Sequence, residues 1–385
     1  MDFSIPYEHG QLQLLVRRFI DNELRPLEKE IIEQRDRQIP EEMWQGLVKK
    51  SRELGLFDAF VPVEYGGRGI RSWLAHILVY EEIGKFYKDF RRLFDCGYEI
   101  GSSVATKDQI ERFYMPVWRG EKRLSFGLTE PDAGSDNLAM KTVAIKKNGN
   151  WVINGMKHFI TFAKECDVFG IFAKTDIEKR RISMFLVDKN TPGLKIGRRQ
   201  KTMGPFENLG EVYLDDVVVP QSNMVGGEGK GMRIAFTDMA LYRLRMGALG
   251  LGAAEYALKA AIDYAKKRVT FGQPLATRQA IQAKIVDSWM EIENVRWLTY
   301  YAASKADQGA SPEEITPLAA ASKVMGTTMG CRVLDRAIQI HGAVGYASDL
   351  PLERMYRDLR ACLILEGSNE ILKHFVIARS LLQVE

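Results

Sequence analysis

The stretch MKTVAIKKNGNWVING, residues 140–155, decides how this chain divides. Apolar and polar residues alternate on either side of Asn148-Gly149, a pair that favours the two-residue turn of a β-hairpin. Further short β-type segments follow, separated by polar or glycine-containing turns: DVFGIFAKT, RISMFLVDK and GEVYLDDVVVP. We therefore predict a small β domain over residues 121–230.

Helical patterns flank this β segment on both sides. Before it, HGQLQLLVRRFIDNELRPL and EEMWQGLVKKSRELGL repeat apolar residues at three- and four-residue steps. After it, longer helices are predicted in GALGLGAAEYALKAAIDYAKKR and IQAKIVDSWMEIENVRWLTYYAASKADQG, followed by TPLAAASKVMGTTMGCRVLDRAIQIHG. The predicted fold is α+β and multidomain, with an N-terminal helical domain (1–120), the β domain (121–230) and a C-terminal four-helix bundle (231–385).

Composition and charge argue against several classes of function. The 385-residue chain has 54 basic and 50 acidic residues, and this net charge of +4 is not clustered, so we predict no nucleic-acid partner. The four cysteines and five histidines are scattered, which favours a reduced compartment and predicts no metal site. The N-terminus lacks a signal-peptide pattern, and no apolar run reaches the ~20 residues of a membrane helix. We therefore predict a cytoplasmic protein with no membrane partner.

Three short motifs carry residues suited to binding, although each has a structural explanation as well. FGLTEPDAGSDN (126–137) places hydroxyls and unhindered backbone N–H groups in one loop, which suits a polar ring edge or a phosphate, but a surface turn has the same composition. KHFIT (157–161) fits a core strand equally well. In KKRVTFGQPL (266–275), an arginine at a helix end either caps the helix or reaches a phosphate.

The order of five motifs resembles that of the acyl-CoA dehydrogenase family over essentially the whole chain: LTEPDAGSD, FIT, R…FG…RQ, QIHGAVGY and LEGSNE. The resemblance implies FAD extended between the β domain and the C-terminal bundle, with its adenine end touching a second subunit of a homotetramer. It also implies α,β-dehydrogenation of a CoA thioester to the 2-enoyl-CoA. Electron-transfer flavoprotein is the implied electron acceptor.

The family's binding positions can be carried over residue by residue. The residues that match FAD contacts are Phe126, Leu128, Thr129, Gly134, Ser135, Phe159, Ile160, Thr161, Arg268, Thr270, Phe271, Arg278, Gln279, Gln339, Ile340, His341, Gly342, Ala343, Ser368 and Glu370. The residues that match contacts of the CoA thioester are Ser135, Ala240, Tyr242, Arg243 and Gly367. The chain departs from the family at Phe159, where a tryptophan is common, and at Ala343, which replaces the second glycine of a usual pair.

Glu366 is the predicted catalytic residue. In CLILEGSNEILK (362–373) it could be an ordinary turn carboxylate, but the resemblance places it at the family's catalytic base. Some relatives carry the base at the position of Tyr242, and tyrosine cannot take that role. An apolar pocket would raise the pKa of this carboxyl and strengthen it as the base for the α-proton of the thioester.

The segment KFYKDFRRLFDCGYEIGSSV (85–104) matches the far end of the family's acyl pocket and combines cations with aromatic residues. One interpretation is a solvated helix face with an Arg91–Asp95 pair. The other is that Lys88, Arg91 or Arg92 receives a second carboxylate of the substrate, since glutaryl-CoA dehydrogenases carry an arginine nearby. The aromatic residues of the segment would suit a bulky ring, as in benzylsuccinyl-CoA: Phe86, Phe90, Phe94 and Tyr98.

Two other classes of activity stay open at this stage. Some relatives of this fold bind FAD and nucleic acid with little dehydrogenase activity, and their strongly basic C-terminal surface is not evident here. An acyl-CoA oxidase would pass its electrons directly to oxygen and release peroxide.

Overall fold

The computed structural model describes residues 4–28, 30, 39–96, 99–204, 206 and 208–383, so Tyr98 lies outside the described residues. Short and medium helices make up the N-terminal part of the chain. Its α-helices are α1 (Tyr7–Phe19), α2 (Glu41–Glu53), α3 (Trp73–Gly84), α4 (Lys107–Gln109) and α5 (Met115–Trp118). A π-helical segment, Ile110–Tyr114, joins α4 to α5, and a 3-10 helix at Lys88–Leu93, here named the Lys88–Leu93 turn, follows α3.

The middle of the chain forms an eight-stranded sheet with the order β6-β7-β3-β2-β4-β5-β8, and β1 pairs with β4. The strands are β1 (Leu124–Gly127), β2 (Val143–Lys147), β3 (Asn150–Thr161), β4 (Val168–Asp176), β5 (Arg181–Asp188), β6 (Leu194–Arg199), β7 (Leu209–Pro220) and β8 (Met224–Val225). Trp151, Phe169 and Phe185 are buried in the core of this sheet.

The predicted hairpin is the β2–β3 connection. Lys147 pairs with Asn150, and the two residues between them have positive φ angles of 51° at Asn148 and 80° at Gly149. Positive φ at both central positions defines the type I′ turn, which asparagine and glycine tolerate better than other residues. The hairpin prediction is confirmed.

Helices return after the sheet, and the first three are long: α6 (Gly231–Lys267), α7 (Gln279–Asp307) and α8 (Pro312–His341). The short helices that follow are α9 (Ala343–Tyr346), α10 (Leu352–Arg360), α11 (Asn369–Ile371) and α12 (Arg379–Leu382). A small hairpin of β9 (Val269–Thr270) and β10 (Gln273–Pro274) separates α6 from α7, and the π-helical segment Leu372–Ala378 joins α11 to α12.

Glycines allow α6 to pack closely on two neighbouring helices. A Cβ atom on Gly250 would lie 2.2 Å from the Gly326 carbonyl oxygen on α8. A Cβ atom on Gly252 would lie 1.8 Å from the Glu81 carbonyl oxygen on α3. The GALGLG stretch therefore packs backbone against backbone and joins the N-terminal helices to the C-terminal bundle.

The predicted sequence of helical, β and helical parts is confirmed. β1 begins at Leu124 and α6 at Gly231. The exact domain limits of 120 and 230 stay predictions. Across the described ranges, no helix is both long and apolar enough to span a membrane.

Candidate functional site

The loop between α10 and α11 presents Glu366 in an unusual backbone conformation. Glu366 has a φ of 57° and the next residue, Gly367, a φ of 94°. Positive φ costs a glutamate free energy, so this conformation must be held by its surroundings. Lys323 on α8 supplies part of that support, because its buried Nζ donates hydrogen bonds to the carbonyl oxygens of Leu363 (3.3 Å) and Gly367 (2.8 Å).

The Glu366 carboxyl is shielded from water and weakly satisfied. Its side chain is half-buried, and its Oε2 atom is buried with no hydrogen-bond partner among the described residues. Burial raises the pKa of Glu366, although Arg91, Arg245 and Arg243, with Lys323, oppose that rise by their positive charge. The balance leaves a carboxyl that binds a proton more readily than an ordinary glutamate does.

Two of the predicted thioester-binding residues meet Glu366 directly. Arg243 is buried on α6, and its Nε donates to the Glu366 carbonyl oxygen at 3.4 Å. Gly367 follows Glu366 and lies close to the Arg243 guanidinium, since a Cβ atom there would be 3.9 Å from it. Ala240 and Tyr242 are half-buried on α6, three residues and one residue before Arg243, and the Tyr242 ring centroid lies 4.4 Å from the guanidinium carbon of Arg245.

The β-domain candidates gather where the loop after β1 meets the end of β3. The His158 backbone N–H donates to the Thr129 carbonyl oxygen at 2.9 Å. The Ser125 hydroxyl donates to the Thr161 carbonyl oxygen at 2.6 Å. The two motifs, Phe126 to Thr129 and Phe159 to Thr161, therefore lie side by side.

A buried ion pair holds this loop against β3. Lys157 donates to Glu130 Oε1 at 2.6 Å and to the Leu128 carbonyl oxygen at 3.3 Å. Glu130 also accepts from the backbone N–H groups of Lys141 (2.5 Å) and Thr142 (3.1 Å). Burial lowers the pKa of Lys157 to about 8 despite its partner, while Lys157 keeps the pKa of Glu130 below its usual value. The Lys157–Glu130 pair was not predicted from the sequence, although a lone lysine in a core strand indicates a buried partner.

Phe159 presents an exposed aromatic face beside the loop. Its φ is 56°, its side chain is 50% exposed, and its ring centroid lies 4.1 Å from that of His158. Ile160 points the other way, into the β-domain core. Gly134 and Ser135 are exposed, and a Cβ atom built on Gly134 would meet nothing within 4 Å. An aromatic face beside an open loop fits a planar ring whose polar edge meets backbone groups.

A second group of candidates surrounds Tyr264 near the end of α6. The Arg268 backbone N–H donates to the Tyr264 carbonyl oxygen at 2.8 Å, and the His341 ring stacks on the Tyr264 ring at 4.3 Å. Arg278 donates to the Thr270 carbonyl oxygen at 2.8 Å, which closes the β9–β10 hairpin. The remaining candidates of this group are the exposed Phe271, Gln279, Gln339, Gly342 and Ala343 and the buried Ile340.

The last two cofactor candidates lie just after the Glu366 loop. The Ser368 hydroxyl accepts a hydrogen bond from the Ile371 N–H at 3.3 Å and so caps α11. Glu370 is exposed on α11.

The Lys88–Leu93 turn lies where the three parts of the chain meet. Lys88 donates from its N–H and Nζ to Asp358 on α10, at 3.0 and 2.7 Å. Arg92 donates to the Leu124 carbonyl oxygen on β1, and Asp89 accepts from Asn208 in the β domain at 2.7 Å. Burial lowers the Lys88 pKa, but Asp358 and Asp89 more than offset this and raise it.

The structure separates the three cations that sequence analysis grouped. Lys88 is neutralised by Asp358, and the Arg92 guanidinium lies over the Phe162 ring, 5.3 Å from its centroid. Arg91 is half-buried and is the cation with the strongest effect on the Glu366 carboxyl. Sequence reasoning could not assign these different partners, which come from distant parts of the chain.

The interpretation of this segment as a solvated helix is wrong. The part of the segment that carries the three cations, Lys88–Leu93, forms a 3-10 turn in which Asp89 and Phe90 are buried. Asp95 pairs with Arg245 at 2.9 Å instead of with Arg91, and it accepts a hydrogen bond from Tyr80 at 2.9 Å. Arg245 was not among the residues selected from the sequence. Like Arg243, it is a buried arginine whose positive charge acts on Glu366.

Three family models match consecutive parts of the chain. The N-terminal domain model of acyl-CoA dehydrogenases matches residues 6–121, the middle domain model residues 125–217, and the C-terminal domain model residues 229–382.

Individual proteins match over the whole length. The chain is 36% identical to (R)-benzylsuccinyl-CoA dehydrogenase of Thauera aromatica, over 99% of this chain and 97% of that protein. A glutaryl-coenzyme A dehydrogenase solved with glutaryl-CoA superposes with a TM-score of 0.90 at 32% identity, covering 100% of this chain and 98% of that one. Butyryl-CoA dehydrogenase of Megasphaera elsdenii superposes with a TM-score of 0.86 at 34% identity, covering 99% and 100%.

Proposed function

The chain belongs to the acyl-CoA dehydrogenase family, FAD-dependent oxidoreductases that act on the CH–CH bond of acyl-CoA, and we propose that Glu366 is its catalytic base. The observation that carries this proposal is the Glu366 carboxyl itself. It is shielded from water, its pKa is raised by burial, and its Oε2 atom has no hydrogen-bond partner among the described residues. A carboxylate with an open acceptor position can take the α-proton of a bound thioester.

The other candidates divide into those that would hold FAD and those that would hold the thioester. The loop around Thr129 and the exposed face of Phe159 would bind the flavin ring. Arg268 and Thr270 would bind the pyrophosphate, and the turn from Gln339 to Ala343 would bind the adenosine half. Bound FAD supplies the acceptor for the hydride that leaves the β-carbon. Arg243 fixes the backbone of Glu366, so the base is oriented before the substrate arrives.

We further propose that the acyl group carries a second carboxylate, as in glutaryl-CoA or an aryl-substituted succinyl-CoA. The support is a pair of arginines, Arg91 and Arg245, which act electrostatically on the Glu366 site. Arg91 is the better candidate, because its ion pair with Asp89 is 4.0 Å long, whereas Arg245 pairs with Asp95 at 2.9 Å and Lys88 with Asp358 at 2.7 Å. Two of the similar proteins above act on acyl groups of this kind, which agrees with the assignment.

Electron-transfer flavoprotein as acceptor and a homotetrameric assembly are part of the same proposal. An apolar stripe on α7 supports assembly, because its side chains are 44–57% exposed: Val286, Trp289, Met290, Trp297 and Tyr301. Phe271 in the β9–β10 hairpin is 98% exposed, which fits a contact with another subunit. The cytoplasmic location remains a prediction from the sequence.

Anaerobic bleaching of the flavin by a panel of CoA thioesters tests the proposal. The panel consists of butyryl-, octanoyl-, isobutyryl-, glutaryl- and benzylsuccinyl-CoA. We expect rapid bleaching by glutaryl- or benzylsuccinyl-CoA and slow bleaching by the three simple thioesters. Bleaching by a simple thioester alone would overturn the second-carboxylate assignment. An FAD-loaded protein that no thioester bleaches would contradict the dehydrogenase proposal, and peroxide release in air would show an oxidase.

A further inference from the structure

We propose that Lys323 is a positioning residue for the catalytic base, holding the Glu366 loop through three hydrogen bonds that bracket Glu366. The inference rests on the proposed role of Glu366. It concerns a residue 43 positions away in sequence, on a helix that packs against the Glu366 loop.

The contacts of Lys323 are fully directed at this loop. The side chain is completely buried on α8. Its Nζ donates to the Leu363 carbonyl oxygen (3.3 Å), the Gly367 carbonyl oxygen (2.8 Å) and Asn369 Oδ1 (2.8 Å). An ammonium group has three N–H donors, so these acceptors use all of them. They lie three residues before, one residue after and three residues after Glu366, which fixes the loop on both sides of the base.

Asn369 extends the same clamp back to α8. Its Nδ2 donates to the hydroxyl oxygens of Thr327 (3.2 Å) and Thr328 (3.1 Å). Asn369 is buried, and it stands at the first position of α11. The loop is therefore tied to one rigid helix through both a lysine and an amide side chain.

This clamp explains how Glu366 is kept at positive φ. A glutamate in the left-handed region is strained and persists only where surrounding contacts enforce it. The carbonyl oxygen of Gly367, a residue that is also at positive φ, accepts a hydrogen bond from Lys323. The carbonyl oxygen of Glu366 accepts one from Arg243 at 3.4 Å. Two cations thus hold the backbone from α6 and from α8, and the Oε2 atom of the Glu366 carboxyl is left without a hydrogen-bond partner among the described residues.

Lys323 also acts on the base through its charge. The charged groups that face Glu366 are Arg91 in the Lys88–Leu93 turn, Arg243 and Arg245 on α6, and Lys323 on α8. All four favour the ionised carboxylate, against the effect of burial. Burial lowers the pKa of Lys323 itself to about 8, while Cys362, Glu366 and Glu370 oppose that shift and Arg243 adds to it.

The variant Lys323→Met, compared with Lys373→Met, tests the inference in the FAD-loaded protein. Lys373 is exposed and lies seven residues after Glu366, and its replacement by methionine removes the same charge as Lys323→Met does. For Lys323→Met we expect anaerobic bleaching about 10- to 100-fold slower at pH 7, with thioester affinity changed less than about threefold. The midpoint of the rate against pH should move upward by about half a unit or more, because the ionised Glu366 loses a stabilising charge.

Hydrogen exchange of the segment 362–373 gives a readout that does not depend on activity. Lys323→Met should speed amide exchange there and leave the β2–β3 hairpin unchanged. Asn369→Ala removes one acceptor of Lys323 and both threonine contacts. It should change the exchange and the bleaching rate in the same direction as Lys323→Met, but by a smaller factor. It takes the place of Lys323→Met in the test if that variant does not fold.

The outcomes separate this inference from the proposed function. If Glu366→Gln abolishes bleaching while the Lys323→Met rate, pH midpoint and exchange match wild type, Lys323 has no positioning role and the base assignment stands. Equal effects of Lys323→Met and Lys373→Met would also overturn the inference. If Glu366→Gln retains turnover but exchange rises in Lys323→Met, the base assignment fails while the clamp on the loop is real.

Discussion

The buried Lys157–Glu130 pair behind the loop that we propose binds the flavin gives a prediction whose size can be worked out. Glu130→Gln keeps the shape of the side chain and an oxygen for the backbone N–H groups of Lys141 and Thr142, but it removes the negative charge. Lys157, completely buried, then has no counter-charge at 2.6 Å. Leaving one member of a buried ion pair uncompensated costs about 3–5 kcal/mol.

Lys157 limits this loss because it can release its proton. An ordinary lysine has a pKa near 10.4, so deprotonation at pH 7 costs about 3.4 pH units at 1.36 kcal/mol each, or about 4.6 kcal/mol. Burial has already brought the Lys157 pKa to about 8 in the wild type, so deprotonation at pH 7 costs the variant only about one further unit, or about 1.4 kcal/mol. The backbone N–H groups of Lys141 and Thr142 also lose a charged acceptor, which adds about 1–2 kcal/mol. We therefore expect Glu130→Gln to lose about 3 kcal/mol of unfolding free energy, at the lower end of the range.

The assay is thermal unfolding followed by circular dichroism, with FAD retention measured after gel filtration. Glu130→Gln should unfold at a lower temperature and lose FAD, because the Thr129 loop is no longer tied to β3. The double variant Glu130→Gln/Lys157→Met removes both charges and should recover to within about 1 kcal/mol of wild type. Asp132→Asn breaks an exposed pair with Lys141 and should leave the unfolding temperature unchanged. A double variant as unstable as the single one would refute the buried-charge argument.

Three further predictions concern the acyl pocket, the base and the helix packing. Arg91→Met should weaken bleaching by glutaryl-CoA about tenfold or more while butyryl-CoA changes little, as loss of a charge-assisted contact requires; equal losses in titrations with both thioesters would count against it. Since burial raises the Glu366 pKa and only the carboxylate is a base, the bleaching rate should fall as pH drops through a midpoint above the ordinary value of about 4.3, whereas a midpoint at or below that value would contradict the assignment. Gly252→Ala should cost about 1–3 kcal/mol in thermal unfolding, because its Cβ would lie 1.8 Å from the Glu81 carbonyl oxygen, whereas Gly46→Ala, with nothing within 4 Å, should not destabilise.

Local sequence signals predicted those features that depend on neighbouring residues. The β2–β3 hairpin follows from Asn148-Gly149, since the turn needs two residues that tolerate positive φ. The GALGLG stretch begins one of the predicted long helices, and α6 approaches α8 and α3 at those glycines. Motif order identified the family, because five short motifs at family spacings are a property of sequence alone.

Features built from distant residues could not be predicted in this way. Lys88 is neutralised by Asp358, which lies 270 residues away, so its spacing within the acyl-pocket segment carries no information about that partner. The pairing of Asp95 with Arg245 could not be predicted for the same reason. Lys323 has a weak signal, since a lone lysine among small apolar helix residues must find acceptors, but those acceptors lie 40 to 46 residues later in the chain.

The most direct test of the central claim is the rate of anaerobic flavin bleaching by Glu366→Gln with the best thioester of the panel. The substitution removes the proton-accepting charge and keeps the size of the side chain. We expect FAD content and thioester affinity close to wild type, with a rate lower by about 10²- to 10⁴-fold. Glu313→Gln, an exposed control at the start of α8, should bleach at the wild-type rate. A near-normal rate in Glu366→Gln would contradict the account, because another group would then have to take the α-proton.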